Sequence, residues 1–390
     1  MCTTQQKYFD ANSEAPAMHV VVDISAHGFG HVAQSSAVIN ALHHHPTNKG
    51  GDFHLTVRSC ADEATLRERI CRPFDLIPYR QDQGMIMHDA TRVDTEATMD
   101  WYRGFHANYN RKKSHAATDL ERLRPDVLFS DVPYLGLDAA NLAGVPAVAM
   151  CSLNWADIFL SYCSGYKGSA KIHDEIVEAY NTANTFLQPA PSMPMESLGN
   201  ARPISTIAFE GKADSGVMRS LAGINDNGRD ATFALVGVGG LPIKNLPLES
   251  WPRLQDVYWI FPDAILSHRQ ASLGRDDFLC QSVFKSIPYI DLLASCSLVV
   301  TKTGYGTQTE SVLNLVPSIC IERLDWPEHK YLRRWHEEHG EVEFIDLMDM
   351  GSSKRFESMV TDLLTKPWTK DSIQATGDQE AADILGQFLW

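Results

Sequence analysis

The sequence lacks several features that would assign a protein to a class directly. None of its eight cysteines forms a Cys-x-x-Cys pair, so the spacing typical of zinc sites and redox motifs is missing. No apolar run approaches the ~18 residues of a membrane-spanning helix, and no secretory signal is recognisable. Because a reduced cysteine behaves as a small hydrophobe, we expect a cytoplasmic protein with free thiols and no integral membrane segment.

Positive charge is also scarce. Lysine and arginine total 34 against 49 acidic residues, which gives a net charge of −15. This balance argues against nucleic acid as the main partner and against a broad lipid-binding surface. The run His43-His44-His45 does not indicate a metal site, because consecutive residues do not share a helix face. We therefore predict neither a bound metal nor a cofactor.

The chain does contain a long alternation of strand-like and helix-like segments. Its 390 residues, 44% of them hydrophobic, suit two globular domains. Strands separated by helices predict parallel pairing in open α/β sheets. The expected strands lie at residues 19–24, 53–57, 74–78, 126–131, 145–150, 232–238, 255–260, 284–287, 298–300 and 318–322, and a long polar helical stretch at 95–123.

Composition suggests where the domains begin and end. Prolines and a glycine interrupt residues 188–203, which reads as a linker. The sequence predicts a disordered terminus over residues 1–17. It further predicts Rossmann-like domains at residues 18–205 and 206–375 that face each other across a cleft. A C-terminal helix at residues 376–390 is expected to pack back on the first domain.

The most informative segment is residues 301–310, which follow an apolar strand and open a helix through Gly304 and Gly306. Such a turn aims unpaired N–H groups and the positive end of the helix dipole at one point. A diphosphate therefore fits there. Glu310 lies about one turn into the helix, where its carboxylate could accept hydrogen bonds from a ribose.

A similar unit near the amino end, residues 25–31, joins the first strand to its helix. Its two glycines permit close approach of a ligand to the backbone. The loop also carries His27 and His31 at the carboxyl end of a strand, where α/β folds place their sites. An imidazole with a pKa near about 6.5 can take a proton from a hydroxyl at neutral pH.

This loop also reads Gly28-x-Gly30-x-x-Ala33, a variant of the dinucleotide fingerprint, which is weak evidence alone. The second strand ends in Arg58 rather than the acid that an NAD ribose would need. An NADP-dependent oxidoreductase is therefore one alternative, although it leaves the late glycine segment unexplained.

Other residues are expected to border the same cleft. Tyr289 belongs to a segment whose backbone could pair with a nucleobase edge. Asp325 and Glu328 follow a later strand, where carboxylates could hold sugar hydroxyls. Gly239 and Gly240, after another strand, form a turn that a phosphate could approach closely.

On the amino-terminal side, Asn154, Trp155 and Asp157 follow a strand, and Asp157 could orient a histidine that acts as a base. Trp101 and Phe105 are spaced i, i+4 on the polar helix. That spacing usually indicates core packing, and an acceptor-binding wall is the minority interpretation.

Taken together and in order, these segments resemble the GT-B-type glycosyltransferases. The resemblance rests on His27-Gly-Phe-Gly-His31, Ser130-Asp131-Val-Pro, Asn154-Trp155-Ala-Asp157, and Lys302-Thr-Gly304-Tyr305-Gly306-Thr307 with Glu310. The chain is most similar to the glycosyltransferase-like half of L-arabinokinase-type proteins. It is more distantly similar to the peptidoglycan N-acetylglucosaminyltransferase.

The resemblance implies two Rossmann-like domains with a nucleotide-sugar donor held mainly by the C-terminal one. The catalytic candidates are His31, His27 and Asp157. The donor-binding candidates are Gly239, Gly240, Tyr289, Thr303, Gly304, Tyr305, Gly306, Thr307, Glu310, Asp325 and Glu328. The candidates on the acceptor side are Gly28, Phe29, Gly30, Asp131, Asn154 and Trp155.

The activity implied is transfer of a sugar from a nucleoside-diphosphate sugar, such as a UDP-sugar, to a hydroxyl of a small molecule or glycan. No Asp-x-Asp occurs, so a metal-bridged diphosphate is not expected. A histidine base favours inversion, because a retaining enzyme needs no such base. A nucleotide-sugar epimerase or hydrolase and a non-catalytic nucleotide-sugar sensor remain as alternatives.

Overall fold

Two parallel β-sheets organise the chain in the computed structural model. The model describes residues 18–45, 53–89, 92–224, 231–239, 246–266 and 273–389. The predicted disordered terminus and Gly240 lie outside these residues. Within them, no helix combines the length and the apolar character needed to cross a bilayer.

The first sheet has seven strands in the order β3-β2-β1-β4-β5-β6-β7, and every neighbouring pair is parallel. Its strands are β1 Met18–Ile24, β2 Phe53–Arg58, β3 Asp75–Ile77, β4 Val127–Asp131, β5 Ala147–Met150, β6 Thr185–Pro189 and β7 Ala201–Ile204. The strand order reverses direction between β1 and β4, which leaves a crevice at the carboxyl ends of these two strands.

The second sheet has six strands in the order β10-β9-β8-β11-β12-β13, again all parallel. Its strands are β8 Thr232–Gly237, β9 Val257–Phe261, β10 Phe278–Cys280, β11 Leu298–Lys302, β12 Ser318–Ile321 and β13 Val342–Ile345. Here the order reverses between β8 and β11, so each sheet has one crevice of the same kind.

Helices cover both faces of each sheet. They are α1 Phe29–His43, α2 Glu63–Arg69, α3 Thr95–His106, α4 Tyr109–Leu123, α5 Tyr134–Ala143, α6 Trp155–Cys163, α7 Ser169–Asn181, α8 Ser215–Ala222, α9 Asp263–Leu266, α10 Tyr289–Ala294, α11 Tyr305–Leu313, α12 His329–His339, α13 Ser353–Thr365 and α14 Gly377–Gly386. Short 3₁₀ turns occupy Leu248–Ser250, Gln281–Phe284 and Asp349–Gly351.

Burial explains why the central strands are nearly all apolar. Along β1, Val20, Val21 and Val22 are at most 1% exposed, although neighbouring side chains point to opposite faces. A parallel sheet that is covered by helices on both sides requires such continuous runs. The predicted α/β class with two Rossmann-like sheets is confirmed.

Three local predictions are wrong. The polar stretch at residues 95–123 is broken at Ala107 and Asn108 into α3 and α4. Residues 284–287 are not a strand, because β9 takes its partner earlier in the chain, at β10. The proline-rich residues 188–203 do not link the sheets but supply β7, where Pro203 is tolerated because β7 is an edge strand.

The C-terminal helix α14 lies on the first sheet, although it follows the second in sequence. Its Ile384 and Leu385 share a buried core with Val38 and Leu42 of α1. The Gly377 N–H donates to the Thr206 carbonyl at 3.1 Å. The chain therefore crosses between the sheets twice.

Candidate active site

A buried histidine and a carboxylate meet at the crevice of the first sheet. His31 lies in the first turn of α1, and Asp131 ends β4, the neighbour of β1. The His31 Nδ1 atom is 2.9 Å from Asp131 Oδ1, and the Ser35 hydroxyl donates to Asp131 Oδ2 at 3.0 Å. Because Asp131 accepts the Nδ1 proton, Nε2 is the nitrogen left to act as a base.

The surroundings of His31 tune its basicity. Burial lowers the pKa of His31, but the Asp131 carboxylate more than offsets this, with further contributions from Asp82 and Glu328. The net result is a pKa raised above the ordinary value. A pKa raised by an adjacent carboxylate is the usual arrangement of a general base.

His27 has a different environment. Its ring lies against Trp155 in an edge-on contact, with centroids 5.0 Å apart, and parallel to Trp326 at 6.1 Å. Burial lowers the pKa of His27 to about 3, helped by the positive charges of Arg323 and Lys302 and by His31. His27 therefore stays neutral at pH 7 and is a much weaker base than His31.

Asp157 contacts neither His27 nor His31, contrary to the prediction, and the histidine near it is His173, whose Nε2 atom is 3.8 Å from Asp157 Oδ1. Asn154 caps α6 by accepting from the Asp157 N–H at 2.8 Å, and its amide donates back to the Asp157 carboxylate at 2.7 Å. The Asp157 carboxylate is therefore held at the start of its own helix, and Asp131 takes the place expected for it. Trp155 is fully buried and donates to Asp82 at 2.7 Å.

At the crevice of the second sheet, a lysine lies beside a glycine turn. Lys302 ends β11, next to β8, and Gly239 follows β8 with a φ of +79°. A Cβ atom at Gly239 would lie 3.2 Å from the Lys302 Cε atom. A residue without a side chain is therefore required there, both by the positive φ and by the close approach of Lys302.

Lys302 and Arg323 are two neighbouring cations, of which Arg323 is buried and Lys302 is half-buried. Burial and the charge of Arg323 together lower the pKa of Lys302 to about 7, while Glu328 opposes the change. Arg323 is 7% exposed, and its Cζ atom lies 4.4 Å from the Trp326 ring centroid. Its Nε atom has no hydrogen-bond partner. Within the described part of the chain, neither cation has an ion-pair partner within 4.0 Å.

The start of α11 is only partly free to bind an anion. The Gly304 N–H is not available as predicted, because it donates to the Gln308 side chain at 2.9 Å. No acidic residue lies in the first turn of α11. A Cβ atom at Gly306 would lie 4.0 Å from the Gly30 Cα atom. The two glycine turns of the sequence therefore face each other across the cleft.

Two further donor-binding candidates have mainly structural contacts. The Tyr305 hydroxyl donates to the Ala190 carbonyl at 3.0 Å and accepts from the Ile207 N–H at 2.9 Å. Its side chain therefore points to the segment between the sheets rather than to the cleft. Thr303 is fully buried, and its hydroxyl donates to the Ile321 carbonyl at 3.2 Å.

Glu310 lies in a small pocket between α11, α1 and the segment at residues 207–209. It is 3% exposed, and Arg69 Nη1 of α2 lies 3.4 Å from its Oε1 atom. Burial raises the pKa of Glu310, while Arg69 counters that shift. Tyr289 stands nearby, with its hydroxyl hydrogen-bonded to Thr307 and its ring centroid 5.7 Å from Arg69.

Glu328 and Asp325 differ in their surroundings. Glu328 is 4% exposed and accepts from the Ser152 hydroxyl at 2.7 Å and from Trp326 Nε1 at 3.2 Å. Asp325 is exposed, and its carbonyl accepts from the Tyr162 hydroxyl at 2.8 Å. On the facing loop, Phe29 is exposed and Gly28 is the residue before α1.

No role was assigned from the sequence to four charged residues of this region: Lys302, Arg323, Asp82 and Arg69. Lys302 and Arg323 could have been found, because each stands where a strand of the second sheet ends. Asp82 and Arg69 carried no such signal. Asp82 lies in a long loop, and Arg69 ends a helix that reaches the opposite sheet.

In the oxidoreductase alternative, Arg58 would bind the phosphate of NADP, but the structure places it elsewhere. Arg58 is 2% exposed, and its Nε and Nη2 atoms each donate to an Asp23 oxygen at 2.6 Å. A guanidinium that is buried and held by a bidentate pair with a carboxylate is not presented to a phosphate in the cleft.

One cluster of side chains in the described residues has the composition of a metal site. The ligand atoms of His31, Asp131 and Cys151 all lie within 4.8 Å of one another. The Cys151 sulfur is 3.8 Å from His31 Nδ1. The same atoms form the hydrogen-bonded histidine–carboxylate pair, which accounts for their proximity without an ion.

Comparison with known proteins supports the fold. No family model matches the chain. L-arabinokinase of Arabidopsis thaliana is 23% identical over 318 residues, which is 80% of this chain but only 29% of that protein. The chain thus spans less than a third of the length of this curated relative.

Solved structures match almost the whole chain. The glycosyltransferase VinC, in complex with dTDP, has a TM-score of 0.54 and 17% identity, with 95% of both chains covered. MurG of Acinetobacter baumannii has a TM-score of 0.54 and 14% identity, with 95% of this chain and 99% of that chain covered. A putative UDP-N-acetylglucosamine 2-epimerase of Listeria monocytogenes has a TM-score of 0.54 and 12% identity, with 94% of each chain covered. Both crevices, and the sheets that form them, are thus arranged as in the GT-B glycosyltransferases, and the chain has the GT-B fold.

Proposed function

We propose that this protein is a metal-independent, inverting glycosyltransferase that moves a sugar from a nucleoside-diphosphate sugar to an acceptor hydroxyl. The acceptor, a small molecule or a glycan, is held on the first sheet, within residues 18–205. The donor is held on the second sheet, within residues 206–375. We also propose a cytoplasmic location, in keeping with the free thiols of the described cysteines.

The observation that carries this proposal is that two neighbouring cations, the half-buried Lys302 and the buried Arg323, have no carboxylate within 4.0 Å in the described part of the chain. A charge that is withdrawn from water is costly unless it is paired, so these two cations favour the binding of an anion beside them. A diphosphate carries the required charge, and the glycine turns at Gly239 and Gly306 allow it to come close to the backbone. The same cations would stabilise the departing nucleoside diphosphate in the transition state.

His31 is the base that deprotonates the acceptor hydroxyl in this reaction. With Asp131 on Nδ1, its Nε2 atom can take the proton of an acceptor hydroxyl while that oxygen attacks the anomeric carbon. The bond to the diphosphate breaks as the new glycosidic bond forms, and the proton remains on the imidazole beside the Asp131 carboxylate. Attack from the face opposite the leaving group inverts the anomeric configuration.

The comparisons support glycosyl transfer in general. VinC is described as a glycosyltransferase in complex with dTDP, and glycosyltransferases recur among the solved structures. At identities of 12–17% they show the fold alone, so the activity rests on the residues of this chain.

Isothermal titration with UDP, GDP and dTDP tests the anion site. Lys302→Ala and Arg323→Ala should each weaken binding of the preferred nucleotide by about tenfold or more, because hydrogen bonds to charged groups contribute about 1.5–3 kcal/mol each. The exposed Lys354→Ala and Arg334→Ala are matched controls and should bind like wild type. If the variant that lacks both cations binds the nucleotide as tightly as wild type, this proposal is wrong.

Turnover tests the base. With the natural or a surrogate acceptor, His31→Ala should lower kcat by about 10²–10⁴-fold while nucleotide affinity stays within about twofold. His27→Ala should have the smaller effect on kcat, because the pKa of His27 is about 3. A larger loss for His27→Ala would reassign the base.

A nucleotide-sugar epimerase is the second candidate, since a putative UDP-N-acetylglucosamine 2-epimerase shares the fold over 94% of this chain. The two activities separate in an assay without acceptor. An epimerase changes the configuration of the donor sugar in that assay, whereas a transferase leaves the donor intact apart from slow hydrolysis.

A further inference from the structure

Glu310 and Glu328 are the two buried carboxylates expected to hold the donor. Each of them contacts a polar side chain from the first half of the chain. Glu310 Oε1 lies 3.4 Å from Arg69 Nη1, and Glu328 Oε1 accepts from the Ser152 hydroxyl at 2.7 Å. Arg69 ends α2, and Ser152 follows β5. These contacts therefore cross the cleft at two separate places.

The two contacts are built into buried surroundings. Glu310 and Glu328 are 3% and 4% exposed, and Ser152 is 2% exposed. The guanidinium of Arg69 also lies between two aromatic rings, 5.8 Å from the Phe209 centroid and 5.7 Å from the Tyr289 centroid. A ribose that approached Glu310 would have to displace this side chain.

From these contacts we infer that Arg69 and Ser152 compete with the donor for Glu310 and Glu328, so that the ligand-free protein holds its own cleft closed. Arg69 takes the place of ribose hydroxyls, and Ser152 takes the place of a sugar hydroxyl. This inference rests on the proposed function and adds two residues that set donor affinity. In a closed protein, the apparent dissociation constant is the intrinsic constant divided by the fraction of open molecules.

Competition and direct contact predict opposite effects of a substitution on donor affinity. Removing Arg69 or Ser152 should tighten nucleotide binding, because the carboxylates are then free. Partly exposed ion pairs and single hydrogen bonds are modest. We therefore expect about a two- to tenfold decrease in the dissociation constant for Arg69→Ala with UDP, GDP or dTDP, whichever binds wild type best. Ser152→Ala should show the same decrease with the matching nucleotide sugar.

The chain offers matched controls. Arg67→Ala lies on the same helix as Arg69, but its partner is the exposed Glu63. Ser161→Ala removes a hydroxyl that donates only within its own helix, to the Ile158 carbonyl. Both should bind nucleotide and nucleotide sugar like wild type.

A double-mutant cycle separates competition from direct contact. If Arg69 acts only through Glu310, then Arg69→Ala has no effect on affinity in a Glu310→Ala background. If Arg69 touches the donor, it weakens binding in both backgrounds and the inference is overturned. Circular dichroism melting of every variant identifies any that fail to fold, and Ser152→Ala then carries the test alone.

The possible outcomes separate this inference from the proposed function. If wild type and all variants bind no nucleoside diphosphate or nucleotide sugar, both are wrong. If wild type binds but neither Arg69→Ala nor Ser152→Ala tightens binding, only the inference is wrong and the proposed function stands.

Discussion

At the scale of single residues, neighbouring groups shift the pKa values of two site residues, the base His31 and the cation Lys302. Asp131 raises the pKa of His31 above its ordinary value, despite burial. Burial and the charge of Arg323 lower the pKa of Lys302 to about 7. The surroundings thus shift the pKa values of the two groups in opposite directions.

Because His31 must be neutral and Lys302 charged, we predict a bell-shaped pH profile of kcat/KM. Below the raised pKa of His31 the base is protonated and cannot accept a proton, so activity falls as pH falls. Above pH ~7 Lys302 loses its charge and the diphosphate loses a partner, so activity falls as pH rises. Because kcat/KM reports groups of the free enzyme, initial rates between about pH 5 and 9 provide the measurement.

Two substitutions assign the limbs of this profile. Lys302→Arg should remove the basic limb, because a guanidinium does not titrate in this range. Asp131→Asn should shift the acidic limb to lower pH, because His31 loses the charge that raises its pKa. A basic limb that persists in Lys302→Arg would contradict the role given to Lys302.

Which site residues the sequence could predict follows from where they stand in the chain. His31, Asp131 and the glycines of both turns directly follow or end buried strands, and parallel strands bring their carboxyl ends together. Asp131 was expected only on the acceptor side, and the role of partner went to Asp157. That distinction depends on which of two nearby carboxylates points at the imidazole, which spacing along the chain does not contain.

At the scale of helices and strands, prediction worked where an element is long, apolar and buried on both sides. Strands β1, β4 and β11 begin and end within one or two residues of their expected bounds. It failed where tertiary contacts decide the outcome. Residues 284–287 resemble a strand locally, but β9 is already paired with β10. Pro203 suggests a loop, yet the edge of a sheet accepts it.

Helix α14 shows how an element late in the sequence supports an early one. Leu385 is 1% exposed and shares its core with Val38 of α1. We expect Leu385→Ala to lower the free energy of unfolding by about 2–5 kcal/mol, the usual cost of such a truncation in a core. Chemical denaturation measures the change.

The control for this prediction lies on the same part of the chain. Gln387 is exposed, so Gln387→Ala should change stability by no more than about 0.5 kcal/mol. Equal effects of the two substitutions would show that α14 contributes little to the core in solution.

At the scale of the whole molecule, the two sheets are joined by contacts that a pair of independent domains would not need. The Tyr305 hydroxyl of α11 bonds to Ala190 and Ile207, on the chain segment that leaves the first sheet. Tyr305 also belongs to the buried core around β1. The second half of the chain thus completes the core of the first.

Removing the Tyr305 hydroxyl should therefore lower the stability of the whole molecule. Tyr305→Phe leaves the Ile207 N–H without its acceptor, and an unsatisfied buried donor costs about 1–3 kcal/mol. We expect a lower melting temperature by calorimetry. Tyr331→Phe, a half-exposed tyrosine on α12, is the matched control and should melt like wild type.

The contact of His27 with both Trp155 and Trp326 has a practical consequence. One indole belongs to each half of the chain, and the imidazole touches both. Any separation of the halves pulls one indole away from the ring and exposes it to water. The fluorescence of Trp155 and Trp326 should therefore report the width of the cleft without an attached dye.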